Sequence, residues 1–161
     1  MTTTNPPKWT HVVIHHSGTQ DTDKADTATH RRYHTRVRRW RDLGYHFVVE
    51  RVGDSYEVLA GRPLDMAGAH CPGMNRKGIG VCFVGDFTEE PPPEEQLRVG
   101  RRFLRGLMLT LDIPPEHLVA HRDYRPTECP GAAFQVQDLL YREGRPRAID
   151  PGRPSKLSTP G

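Results

Sequence analysis

Two short segments hold the residue types that bind metals and activate water. One is His15-His16, at the end of an apolar run. The other is His121-Arg122-Asp123-Tyr124-Arg125-Pro126-Thr127-Glu128-Cys129-Pro130, with a histidine at one end and a cysteine near the other. Catalytic zinc sites use three protein ligands and keep a fourth position open for water or substrate. Two imidazoles and one thiolate make such a set. The separation of His121 from Cys129 matches no compact zinc-finger spacing, so the set has to be assembled by the fold. Strand ends followed by loops suit this purpose, because the strand fixes the geometry and the loop admits the ligand.

His15 and His16 cannot both face one site from a regular strand, since successive side chains point to opposite faces. His15 shares a face with His11 and Val13, and His16 with Val12 and Ile14. Alternation alone leaves the choice between them open. The residue not used would pack, or would hydrogen-bond behind the ligands.

The elements that must carry these groups follow from pattern. Trp9 to His15 reads as a β-branched strand ended by Ser17-Gly18. Ala28 to Leu43 has Tyr33, Val37 and Trp40 at helical spacing, with Gly44 as its C-terminal cap. Tyr45 to Val52 and Tyr56 to Ala60 form a hairpin about Gly53-Asp54. Gly61 to Lys77 is a long loop, a length that in compact domains often marks function. Ile79 to Val84 is almost wholly apolar, as a central strand buried on both faces requires. A helix is expected from about Glu94 to Leu111, with an acidic first turn and a stripe of Leu97, Leu104, Met108 and Leu111. Leu118 to Ala120 is a short strand ending at His121, and Ala132 to Tyr141 a last short helix.

The chain has 161 residues, of which 35% are hydrophobic and 27% charged, which fits one globular domain with a sizeable core. The expected organisation is a leader over 1–8, a catalytic domain over 9–143, and a disordered basic tail over 144–161, where Pro, Gly, Arg and Ser dominate. No apolar run approaches the ~18 residues of a membrane span. Met1 to Lys8 lacks the basic start and apolar stretch of a secretory signal. The net charge of +3 is compatible with an anionic polymer but does not demand one. Arg31 to Arg41 is rich in arginine, yet Tyr33 and Trp40 fall on the apolar stripe. The arginines therefore read as a solvated face, and no nucleic-acid partner is expected. Three cysteines, Cys71, Cys82 and Cys129, argue against a complete disulfide framework. Cys82 lies in the apolar run and reads as core. Cys129, among turn formers, is the one suited to chemistry.

Several ordered motifs extend this reading: Val12-Val13-Ile14-His15-His16-Ser17, Gly44-Tyr45-His46-Phe47, Gly68-Ala69-His70 with Asn75, Ile79 through Phe87, and His121-Arg122-Asp123 with Thr127-Glu128-Cys129-Pro130-Gly131. Together they span about Trp9 to Tyr141. In this the chain resembles the type 2 N-acetylmuramoyl-L-alanine amidases, which include phage amidase endolysins and the peptidoglycan recognition proteins of animals. The resemblance implies an α/β domain with a central mixed β-sheet flanked by helices. It makes the first histidine of the pair, His15, a zinc ligand together with His121 and Cys129.

The implied reaction is hydrolysis of the amide between N-acetylmuramic acid and the L-alanine of the stem peptide. Tyr45 would be a catalytic helper. Thr127 would be the second, at a position where phage members often carry Lys and many recognition proteins Thr. His70 and Asn75 would contact glycan or stem peptide. Glu128 is set aside, because neighbours in an extended segment face apart. The implied partner is peptidoglycan, met by a monomer. The protein would be made in the host cytoplasm without a classical signal and would act on the cell wall as an endolysin. A noncatalytic peptidoglycan-binding module of the same fold is the alternative.

Overall fold

The computed structural model describes residues 5–19 and 43–140. The helix expected over 28–43 falls, apart from Leu43, outside the described residues, as do the basic tail and the first residues of the leader. Five strands form one mixed sheet: β1 (His11–His16), β2 (Phe47–Val52), β3 (Ser55–Ala60), β4 (Gly78–Phe83) and β5 (Leu118–Ala120). Their spatial order is β3-β2-β4-β1-β5. Only the β2–β3 hairpin is antiparallel; β2–β4, β4–β1 and β1–β5 are parallel. The hairpin turns at Gly53, whose φ of 60° suits a residue without a Cβ. β4 is buried along its whole length between β2 and β1, as its unbroken apolar sequence requires.

One long helix, α1 (Glu94–Thr110), packs on one face of the sheet. Its buried residues Leu97, Gly100, Leu104 and Met108 recur at helical spacing. They meet Val12 and Ile14 of β1, Val49 of β2 and Ile79, Val81 and Phe83 of β4. Glu94 and Glu95 lie in its first turn, where carboxylates complement the positive end of the helix dipole. Gln96 ties that end to the sheet: its amide nitrogen donates to the carbonyls of Val49 and Val84, each at 3.0 Å. Among the described residues no helix is long and apolar enough to cross a membrane.

The opposite face of the sheet is covered by the loop between β3 and β4 and by the segment that leads into β2. There Val13 packs with Cys71 and Met74, while Val48, Cys82 and Val84 pack with Leu43 and Tyr45. The two faces of β1 thus have different neighbours, and the odd-numbered residues look toward the loop.

The expected helix over 132–141 is instead a 3-10 turn, Val136–Leu139. Backbone groups just before it are already committed over long range. Ala133 N–H donates to Phe87 O at 3.0 Å, and the Arg122 guanidinium donates to the carbonyls of Gly131 and Phe134 at 2.8 and 2.9 Å. These bonds displace the local helical ladder.

Candidate metal centre

The sheet register assembles the site. β1 and β5 run parallel, with Ile14 opposite Ala120. The next residue on each chain is a histidine, so His15 and His121 arrive side by side, their ring centroids 4.5 Å apart. Past His121 the chain makes a 3-10 turn, His121–Asp123, held by Asp123, whose carboxylate accepts the Ala120 N–H at 2.7 Å. The loop then returns, because Arg122 N–H donates to Cys129 O at 3.0 Å. Cys129 Sγ ends 3.7 Å from His15 Nδ1. The donor atoms of His15, His121 and Cys129 all lie within 4.8 Å of one another.

The structure also separates the two adjacent histidines. His15 is 1% exposed and turned to the loop face. His16 looks elsewhere: its Nδ1 accepts the Phe87 N–H at 3.4 Å, and its ring lies 6.1 Å from that of Phe87. It serves the site through its backbone, since its N–H donates to Cys129 Sγ at 3.4 Å. Tyr45 stands beside the cluster with its ring centroid 5.0 Å from that of His15. Thr127 is half-buried next to Cys129; its Oγ1 accepts the Cys129 N–H at 3.2 Å, which leaves the hydroxyl hydrogen as a donor. Glu128 is exposed.

His70 and Asn75 sit behind the cluster. His70 Nδ1 is 2.9 Å from His15 Nε2, and its Nε2 is 3.0 Å from Gly78 O. Asn75 Oδ1 accepts the N–H groups of His70 and Cys71, both at 2.9 Å.

Two neighbours escaped the sequence reading. Cys82, read as core, lies opposite His15 in the parallel β1–β4 register, and its thiol hydrogen-bonds the Tyr45 phenol. His46 is fully buried, with Nε2 donating to Met66 O at 3.1 Å and Nδ1 accepting the Gly80 N–H at 3.0 Å. Only the strand order reveals that either lies near the site. The three cysteines are free thiols.

The sequence profile of the N-acetylmuramoyl-L-alanine amidase family matches residues 4–132. The chain belongs to this family. It is 33% identical over 147 residues to peptidoglycan-recognition protein 2 of Holotrichia diomphalia, covering 88% of this chain and 73% of that one. It is 34% identical over 122 residues to the endolysin of Klebsiella phage KP32, covering 74% and 78%. Among solved structures it is similar to the N-acetylmuramoyl-L-alanine amidase LysC from Clostridium intestinale, with a TM-score of 0.74, 29% identity, and 84% and 85% of the two chains covered. The mammalian N-acetylmuramoyl-L-alanine amidases it matches are much longer, and the chain spans 18–21% of their length.

In this amidase-family chain the electrostatics suit metal binding. Burial pushes His15 well below the ordinary histidine range, with further lowering from His70 and His121. His121 is lowered too, by burial and then by Arg125. Both rings are therefore neutral at pH 7 and keep a lone pair for a cation. Burial raises the Cys129 thiol to about 11, opposed by the His16 N–H and the Arg122 guanidinium. A coordinated cation reverses that preference, because a thiol that binds a metal is deprotonated outright. Burial also raises Tyr45 well above the ordinary phenol range, so it is a proton donor at neutral pH. The spacing fits as well. Tetrahedral zinc, with bonds of about 2.1 Å to nitrogen and about 2.3 Å to sulfur, separates an N and an S ligand by roughly 3.6 Å. The Nδ1–Sγ distance of 3.7 Å meets that requirement.

Proposed function

We propose that this chain is a zinc-dependent N-acetylmuramoyl-L-alanine amidase, with His15, His121 and Cys129 as the ligands. It hydrolyses the amide between N-acetylmuramic acid and L-alanine in peptidoglycan, as an endolysin acting on the host wall. The observation that carries this reading is the three-donor cluster of two neutral imidazoles and one thiol with Tyr45 alongside. Three protein donors are the number that leaves a position for water or substrate. All three come from one chain, so a monomer suffices.

Bound zinc would supply Lewis acidity at the scissile carbonyl and a nucleophile at neutral pH. The chain's own residues do the rest. Tyr45, protonated at pH 7, donates a hydrogen bond toward the carbonyl oxygen as negative charge develops on it. Donors aimed at such an oxygen act most strongly where water is excluded. Thr127 contributes a second hydroxyl that carries no charge, so the larger share of stabilisation falls to the cation and Tyr45. The His16 N–H and the Arg122 guanidinium favour the thiolate of Cys129 without outweighing its burial, so the thiolate would form when the cation binds.

The experiment is digestion of purified cell wall with zinc-loaded protein, followed by mass spectrometry of the soluble products. Release of stem peptides with a free L-alanine amino terminus is expected, and a chelator abolishes it. A protein that carries zinc and binds wall but releases nothing is the noncatalytic binding module instead.

A further inference from the structure

We infer that His70 is a positioning residue that sets the tautomer of His15, and so decides which nitrogen of His15 is offered to the metal. This rests on the zinc-ligand reading above. Gly78 O can only accept a hydrogen bond, so His70 Nε2, 3.0 Å away, carries the hydrogen. A neutral imidazole has one N–H, which leaves His70 Nδ1 as a bare acceptor. The group facing it at 2.9 Å is His15 Nε2, which must donate. His15 Nδ1 is then left with its lone pair, and this is the nitrogen 3.7 Å from Cys129 Sγ. The reverse arrangement would set Gly78 O against a lone pair and aim an N–H at the metal position. One main-chain carbonyl on β4 thus fixes two rings in series.

The ring of His70 is held in a slot that has room for nothing else. A Cβ on Gly68 would lie 2.4 Å from His70 Cδ2, and a Cβ on Gly80 would lie 2.6 Å from the same atom. Asn75 Oδ1 holds the main chain of the residue in place. With 8% exposure and both nitrogens committed inside the protein, His70 has no nitrogen left for a glycan or a stem peptide. Outer-shell partners of this kind orient a ligand, and their loss costs roughly 10–100-fold in metal affinity.

The test uses the full chain and two measurements that do not depend on wall cleavage. Nitrogen-15 NMR of the histidine rings in metal-free wild-type protein reads the tautomers directly. His15 and His70 are both expected as single Nε2–H forms. Zinc affinity by chelator competition is then compared for wild type, His70→Ala and His70→Gln. The alanine variant is expected to bind zinc 10–100-fold more weakly, with His15 as a mixture of tautomers. The glutamine variant, which keeps a donor and an acceptor, is expected to recover part of the loss. Wild-type zinc affinity in His70→Ala, or an Nδ1–H His15 in the wild-type spectrum, overturns the inference. If His70→Ala does not fold, the wild-type spectrum and His70→Gln still decide. Failure to cleave wall sinks the amidase reading and leaves these results standing.

Discussion

Replacing Gly80 by alanine is a one-carbon test of how the site is built. Its new Cβ would stand 2.6 Å from Cδ2, 2.7 Å from Cγ and 2.9 Å from Nε2 of His70. Ordinary carbon contacts lie at ~3.5–4.0 Å, so the overlap is about 1 Å. The strand cannot yield. β4 is paired on both sides, by β1 and by β2, and Gly80 itself accepts the His46 N–H at 2.9 Å and donates to His46 Nδ1 at 3.0 Å. The ring must therefore move, and a shift of that size breaks its bonds to His15 and Gly78. Overpacking of this kind costs about 1–3 kcal/mol, and each lost buried hydrogen bond about 1 kcal/mol. Chemical denaturation should register a loss of roughly 3–5 kcal/mol, and chelator competition a fall in zinc affinity of at least about tenfold. A Gly80→Ala protein within 0.5 kcal/mol of wild type, binding zinc equally well, would show that the slot is loose and the positioning argument unsound.

Further consequences are open to direct measurement. Cys129→Ser should abolish wall lysis and weaken zinc binding by orders of magnitude, while the metal-free protein unfolds within about 1 kcal/mol of wild type; normal lysis would remove Cys129 from the ligand set. His16→Ala should retain far more activity than His15→Ala, since His16 meets Cys129 through its main chain, which alanine keeps; the opposite order would reverse the facing of β1. Tyr45→Phe should lower turnover about 100–1000-fold with zinc affinity unchanged, and a smaller effect in steady-state assays would mean the phenol is not the donor.

The pH dependence of the metal-free protein has a fixed sign. Burial lowers His46 to about 4 and His70 to about 3, below the 6.5 of an unfolded histidine. The unfolded chain thus takes up protons first. Their contribution is complete above about pH 6.5 and is lost on acidification toward 4 and 3, by up to about 1.4 kcal/mol per pH unit for each ring. Stability that stays flat from pH 7 to 5 would contradict the burial of both rings.

How much of this was legible beforehand differs from residue to residue. The strands of the sheet and helix α1 announced themselves through periodicity, and β4 through its unbroken apolar run. His121 and Cys129 stood out because polar, turn-rich sequence has little structural use for either. The choice between His15 and His16 was closed to strand alternation, because a period of two has no absolute phase, and only the family resemblance named His15. It takes α1, seated against Val12 and Ile14, to say which face is left for the site. Cys82 and His46 were hidden for a related reason: strand order β2-β4-β1 is a long-range property that no local pattern encodes. The helix expected after Gly131 failed because Phe87 and Arg122, distant in sequence, claim the backbone there. The role now given to His70 needed two ring nitrogens to be located at once.

The two-sidedness of β1 separates what the protein must keep from what it is free to change. Val12 and Ile14 answer to α1, and substitutions there are paid in folding free energy. Val13 and His15 answer to the loop, and substitutions there register in chemistry. The loop between β3 and β4 leans on this second side, and through Leu64 it also reaches the helix-facing core. Within that loop Gly68, His70 and Asn75 are tied to the ligand side, so freedom to change is left to exposed positions such as Pro63, Asp65 and Pro72.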